Sequence, residues 1–175
     1  DKQADFARSV NSVLKTQEGL LLGYTFDGVA FVDCFTQDLG QESFSDVKIV
    51  VLGVGSAAAA VISAIFDNAG DAHIVIYDIL PGKAGQLAAR VQSQREKLVD
   101  IVVVSDEAGL NDAIAKTDWV FNFTDIGKDN EEEKPEQIDY ALSNGRKFFD
   151  ANYRIRKNGF LQAAEEACAK EIING

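Results

Sequence analysis

A chain of 175 residues, 46% hydrophobic and 26% charged, carries enough apolar material for a sizeable core, which excludes disorder, collagen and a disulfide scaffold. Seventeen Lys and Arg against 28 Asp and Glu leave a net charge of −11, the wrong sign for a nucleic-acid backbone or an anionic membrane surface. One histidine and two distant cysteines, Cys34 and Cys168, offer neither a metal-ligand cluster nor a Cys-His pair, and fit a reduced, cytoplasmic setting. The longest apolar run, Ala57 to Phe66, is too short to span a bilayer, and the charged start Asp1-Lys2-Gln3-Ala4-Asp5 is no secretory signal. Because residue 1 is Asp and methionine is absent, the expectation is a processed chain or part of a longer one.

In chain order, Val10–Lys15 and Leu20–Tyr24 flank the polar turn Thr16-Gln17-Glu18-Gly19 and read as a β-hairpin. Asp27-Gly28 then opens an amphipathic segment, Val29–Leu39, with apolar residues at 29, 31, 32, 35 and 39, which reads as a helix. From Val47 onward β-branched runs alternate with Ala-rich stretches, the pattern of βαβ units and a parallel sheet. The strand-like runs are Val47–Gly53, His73–Asp78, Ile101–Ser105, Trp119–Phe123 and Lys147–Asp150. Helices are expected over Ser56–Asn68, Pro81–Gln92, Glu107–Ala115, Pro135–Ser143 and Gly159–Ile172. Pro81 and Pro135 stand where a first helical turn would begin, and Gly70 and Gly145 where C-terminal caps would fall. The acidic run Asp129-Asn130-Glu131-Glu132-Glu133 reads as a solvated loop.

The strongest local signal is the strand Lys48–Leu52 running into Gly53-Val54-Gly55-Ser56-Ala57-Ala58, a G-x-G-x-x-A turn that opens a small-residue helix. Gly53 permits the tight turn, Gly55 lets a pyrophosphate approach the backbone, and Ala58 allows close helix–sheet packing. The helix start, Ser56 and Ala57 included, presents free N–H groups to an anion. Asp78 ends the next strand 25 residues after Gly53, near the spacing at which an acidic side chain accepts the adenosine ribose hydroxyls. The same carboxylate repels a 2′-phosphate, so NAD is expected in preference to NADP.

The order of motifs from Val10 to Gly175 resembles the C-terminal, cofactor-binding half of the shikimate/quinate dehydrogenase family. Val10-Asn11-Ser12-Val13 resembles the family's V-N-T segment, and Gly23-Tyr24-Thr25-Phe26-Asp27-Gly28 its G-x-N-T-D-G, with Thr25-Phe26 in place of Asn-Thr. Gly53–Ala58 stands for G-A-G-G-A-x-x-A, Asn122-Phe123-Thr124-Asp125-Ile126-Gly127 for N-A-T-x-x-G, and Asp150-Ala151-Asn152-Tyr153 for D-x-x-Y. Ile155 and Asn158 replace the Pro and Thr that usually follow the Tyr. Asp78-Ile79-Leu80 occupies the place of the Asn-Arg-Thr cluster that holds a 2′-phosphate, in agreement with NAD.

The resemblance implies an α/β, Rossmann-like doubly wound parallel sheet over 46–175. It implies that 1–45, the hairpin and helix, is left from a substrate-binding domain whose catalytic lysine precedes Asp1. The implied activity is NAD-dependent oxidation or reduction at the CH–OH group of a cyclic polyol carboxylate, as in aromatic amino-acid biosynthesis. Asp27 would be catalytic with that lysine, and Asn11 and Tyr153 would bind substrate. Gly53, Gly55, Ser56, Ala57, Ala58, Asp78, Ile79, Asn122, Thr124 and Gly127 would bind the cofactor, with no metal. From the residues alone the favoured reading of Asp27 is a helix cap, and His73 is structural. Two other readings stand beside the enzyme: a dehydrogenase-like sensor that binds nucleotide or ligand without turnover, suggested by Thr25-Phe26, and another Rossmann oxidoreductase such as a methylenetetrahydrofolate dehydrogenase. The expected partner is a small-molecule substrate, with no nucleic acid and no membrane. Val10, Val13, Leu20, Leu21 and Leu22 are expected to leave an apolar patch that favours a homodimer or other association.

Overall fold

The computed structural model describes residues 1–175 except Leu39, Gln41, Glu42, Pro81, Lys97 and Leu98. The chain opens with a short helix that the sequence pattern does not announce, α1 (Lys2–Ala7), capped by Asp1, whose carboxylate accepts the Gln3 N–H. The expected hairpin follows as β1 (Ser12–Lys15) and β2 (Leu21–Tyr24), paired antiparallel with Leu14 opposite Leu22. It is a separate two-stranded sheet, and Val13 and Leu21 are exposed at 64% and 69%. The next helix, α2 (Asp27–Asp33), starts two residues earlier than the apolar pattern suggests and continues as a π-helical turn over Cys34–Asp38. The last residue of the expected helix, Leu39, lies outside the described residues.

Beyond residue 47 the chain alternates as β3 (Lys48–Leu52), α3 (Ser56–Asn68), β4 (His73–Tyr77), α4 (Lys83–Ser93), β5 (Asp100–Val104), α5 (Glu107–Ile114) and β6 (Trp119–Asn122), then β7 (Lys147–Asp150), α6 (Gly159–Glu166) and β8 (Glu171–Asn174). All six strands pair in parallel in the order β5-β4-β3-β6-β7-β8. The chain thus builds outward from β3 to β5, then crosses back to β6 and builds the other way. Side chains alternate across β3: Ile49 and Val51 enter the core beneath α3, while Val50 and Leu52 enter the core beneath α5 and α6. A parallel sheet covered on both faces needs such continuous apolar strands, and this is a doubly wound, Rossmann-like architecture.

Phe6 of α1 and Phe31 of α2, with Phe35 and Phe44 after it, lie in the same core as Trp119, Phe121 and Phe149. Gly28 lets α2 lie against α3, since a Cβ there would sit 2.4 Å from the Ala60 carbonyl oxygen. Within residues 1–45 it is therefore the hairpin that stands away from the sheet.

Three expected features are corrected. The helix expected over Gly159–Ile172 stops at Glu166; Cys168 turns the chain with φ 62, and Glu171–Asn174 becomes the sixth strand, pairing Ile172 with Phe148. The Ala-rich run to Ala169 holds no Gly or Pro to mark that break, so helical propensity outweighs the two isoleucines in the sequence, whereas the open edge of β7 decides in the fold. The helix expected over Pro135–Ser143 is reduced to a 3-10 turn, Tyr140–Ser143, whose start is capped by Asp139. Gly70 does not supply a left-handed cap, because α3 ends through Ala69 in extended conformation, whereas Gly145 does take a positive φ of 78. The start expected at Pro81 falls outside the described residues.

Candidate functional site

A cleft of about 510 Å³ opens at the carboxyl ends of β3, β4 and β6, where the strand order reverses. Ligands of open α/β sheets bind at this point because the connections leave to opposite faces and part. Gly53 turns the chain there with φ 81, its N–H donating to the Tyr77 carbonyl at 2.9 Å. A Cβ on it would lie 3.0 Å from the carbonyl carbon and oxygen of Phe123, so the β3 turn and the β6 loop meet at a glycine. Gly55 is the N-cap of α3 and offers that helix no side-chain cap. Its missing Cβ would meet no protein atom within 4 Å, so the space it leaves belongs to the cleft. An uncapped first turn with open space before it fits the pyrophosphate of a dinucleotide.

Asp78 flanks this turn. Its two carboxylate oxygens accept the N–H groups of Val54 (3.1 Å) and Leu80 (2.8 Å), so one side chain ties the β3 turn to the β4 turn. Each oxygen keeps a lone pair for a further donor. Ile79 and Leu80 line the cleft beside it and are exposed at 66% and 49%. Lys83 is the one cation among the described residues lining the cleft, which Asp78, Asp125 and Glu133 also line. Burial raises the Tyr77 hydroxyl above its ordinary pKa, with Glu107, Asp106 and Asp78 adding to the shift.

The wall contributed by β6 is held from below. Asn122 is buried; its side-chain oxygen accepts the Thr124 N–H at 3.0 Å and the Thr124 hydroxyl at 2.7 Å, while its amide donates to Asp150 at 3.3 Å. Asp150, fully buried at the end of β7, also accepts the Asn158 amide (2.6 Å) and the Asn152 N–H (2.8 Å). Burial pushes its carboxyl above the usual aspartate value, with these donors pulling the other way. Gly127 lies buried under the Asn158 amide, where a Cβ would sit 2.4 Å from its nitrogen.

Of the expected cofactor residues, Gly53, Gly55, Asp78, Ile79 and Thr124 line the cleft. Ser56, Ala57 and Ala58 form the first turn of α3, with Ala58 buried against the core, so backbone N–H groups are what this turn presents. Asn122 and Gly127 lie beneath the wall and shape the loop. On the hairpin side, Asn11 and Asp27 meet: the Asn11 amide donates to Asp27 at 2.6 Å and its oxygen accepts the Phe26 N–H at 3.3 Å. A backbone N–H can only donate, which fixes the amide orientation. Asp27 is the first residue of α2, and the N-cap is Phe26, which gives no side-chain bond, so the capping role that the sequence allows Asp27 is not the one it takes. Tyr153 is 74% exposed in the loop after β7.

His73 joins strand ends away from this cleft, bonding Asp100 at 2.5 Å with Asp46 3.6 Å from its other nitrogen. The acidic run is more than a solvated loop. Glu133 lines the cleft, and a Cβ on Gly159 would lie 2.5 Å from the Glu132 carbonyl oxygen, so this segment packs against the start of α6. Sequence reasoning missed Lys83, Glu133, Asn152, Asn158 and the anchoring part of Asp150. For Asp150 there was a signal: an acid closing the apolar run Phe148-Phe149.

Fold and cleft define the class, a Rossmann-like α/β domain with a dinucleotide-type crevice. The chain is similar to shikimate and quinate dehydrogenases along its whole length. It is 28% identical over 179 residues to a shikimate dehydrogenase (NADP(+)) of Streptococcus gordonii, covering all of this chain and 59% of that protein. Its fold matches shikimate 5-dehydrogenase from Listeria monocytogenes, in complex with shikimate and NAD, with a TM-score of 0.82 at 20% identity over all of this chain and 60% of that one. It matches quinate dehydrogenase from Corynebacterium glutamicum, in complex with NAD, with a TM-score of 0.79 at 23% identity over 98% and 58%. No family model matches. The chain thus spans about three-fifths of the length of these relatives.

Proposed function

We propose that this chain is the cofactor-binding part of an NAD-dependent oxidoreductase acting on the CH–OH group of a cyclic polyol carboxylate such as shikimate or quinate. The observation that carries the reading is the pairing of an uncapped helix start behind Gly53 and Gly55 with the Asp78 carboxylate, on one cleft at the reversal of strand order. Gly53, Gly55 and the first turn of α3 would hold the pyrophosphate, Asp78 the adenosine ribose, and Thr124 the wall beyond. A bound nicotinamide supplies the hydride acceptor or donor.

The protein's own part is to hold the reacting hydroxyl and move its proton. Asp27, oriented by Asn11, serves that proton through a lysine that the resemblance places before Asp1, and a desolvated lysine falls toward neutral pKa. Asn11 keeps one amide hydrogen for a substrate hydroxyl, and Tyr153 reaches the substrate from β7. Residues 1–45 would then be what is left of a substrate domain and the helix connecting it, with the exposed hairpin its contribution and a homodimer one way to cover it. A cytoplasmic setting agrees with the free thiols of Cys34 and Cys168. Among the described residues no helix is long and apolar enough to cross a membrane.

NAD preference follows from Asp78, because a 2′-phosphate beside a carboxylate pays for like-charge contact. The Streptococcus gordonii relative is named for NADP(+), and Lys83 in the cleft is the feature that favours that cofactor. Steady-state assays of the full-length protein with NAD and NADP against shikimate and quinate test both points. Turnover with NAD is expected, and Asp78→Ser should narrow the NAD/NADP ratio of kcat/KM by about tenfold, roughly 1.4 kcal/mol. A wild-type preference for NADP would overturn the cofactor choice, and no turnover of either polyol would overturn the activity.

A further inference from the structure

We propose that Asp150 is a positioning residue: it locks the loop after β6 and the loop after β7 into one ledge beneath the nicotinamide half of a bound dinucleotide. The inference rests on the dinucleotide reading of the cleft and adds a residue that does not line it. Asp150 is fully buried, yet three donors from three segments converge on its carboxylate: the Asn122 amide at the end of β6, the Asn152 N–H after β7 and the Asn158 amide that begins α6. Two of those asparagines continue to the cleft wall. Asn122 holds both the N–H and the hydroxyl of Thr124. The Asn152 amide donates to the carbonyls of Thr124 (3.0 Å) and Ile126 (3.2 Å), next to Tyr153. Asn174 at the end of β8 then holds the Asn152 carbonyl at 2.7 Å.

Burying a carboxylate carries a desolvation cost, so its use here calls for a function that a neutral side chain lacks. A carboxylate only accepts, whereas an amide of the same shape must turn its NH₂ toward at least one of these donors. The topology says which part of the ligand feels the ledge. With the adenosine ribose on Asp78 at β4 and the pyrophosphate on the β3 turn, what remains of the dinucleotide lies over the next strand, β6.

The test is Asp150→Asn in the full-length protein, with NADH titrated by its fluorescence and ADP by calorimetry. The dissociation constant for NADH should rise at least tenfold, while that for ADP, which ends at the β3 turn, stays within twofold. Equal losses for both ligands, or none, would overturn the positioning role. If wild-type protein binds neither ligand, the dinucleotide reading itself fails. Should Asp150→Asn not fold, Asn152→Ala decides, since it removes the amide bonds to Thr124 and Ile126 and keeps the main-chain N–H on Asp150. A several-fold loss confined to NADH supports the ledge, and an unchanged or parallel response refutes it.

Discussion

The two walls of the cleft are built by different means. At β3 and β4 the surface is backbone: a glycine turn, an uncapped helix start and one carboxylate that accepts two N–H groups. At β6 and β7 it is side chain: asparagines and a buried aspartate tie together loops that have little regular structure of their own. Backbone geometry is set locally by a few small residues, so the first wall is written in consecutive sequence. The second exists only once β7 lies beside β6, and its members are scattered from Asn122 to Asn174. The Asn11–Asp27 pair is a third, more exposed case, in which one amide joins the hairpin to the start of α2, donating to Asp27 and accepting from the Phe26 N–H.

That contrast can be broken in three places. The largest effect is expected at Asp27: if it serves the proton of the reacting hydroxyl, Asp27→Asn in the full-length enzyme lowers kcat by about 10²-fold or more, with the melting temperature nearly unchanged. Unaltered kcat with lost stability would make the pair purely structural. Next is Gly28→Ala, which puts a methyl group 2.4 Å from the Ala60 oxygen and 2.9 Å from the Ala64 Cβ. Pushing α2 off α3 should cost about 1–3 kcal/mol in a denaturant titration, and an unchanged midpoint would mean that this contact is loose.

The smallest effect belongs to His73, the chain's sole histidine. Its hydrogen bond to Asp100 raises its pKa, with desolvation opposing and Asp46 assisting. A folded pKa above the unfolded value gives stability that is complete below about pH 6.5 and lost as pH rises through the folded value. The pair is more than a third exposed, so the loss should stay under about 1 kcal/mol. His73→Gln should flatten the pH dependence of the melting temperature between about pH 6 and 8, and an identical slope in the variant would exclude this source.

Five of the six parallel strands were legible because buried parallel strands need runs such as Ile49-Val50-Val51-Leu52. The sixth was not: Ile172-Ile173 is too short a run to outweigh the alanines before it, and β7 supplies the missing half of the argument. The glycine turn and Asp78 were legible for the reason just given. The 3-10 turn at Tyr140 was hidden because Pro135 marks a helix start equally well where tertiary contacts do not let one grow. Asp150 was visible as part of a motif, but its use as an anchor depends on Asn122 and Asn158, which neither propensity nor periodicity connects to it.

Trp119 is the chain's only indole. It is buried, with ring centres 5.0 Å from Phe35 and 5.6 Å from Phe121, and the Lys147 ammonium 4.8 Å above its ring. The protein therefore carries a built-in optical probe at a junction. Emission excited at the red edge comes from one site, where the segment after α2 meets the central sheet, so a shift in its wavelength reports a change at that junction, without labels or deconvolution.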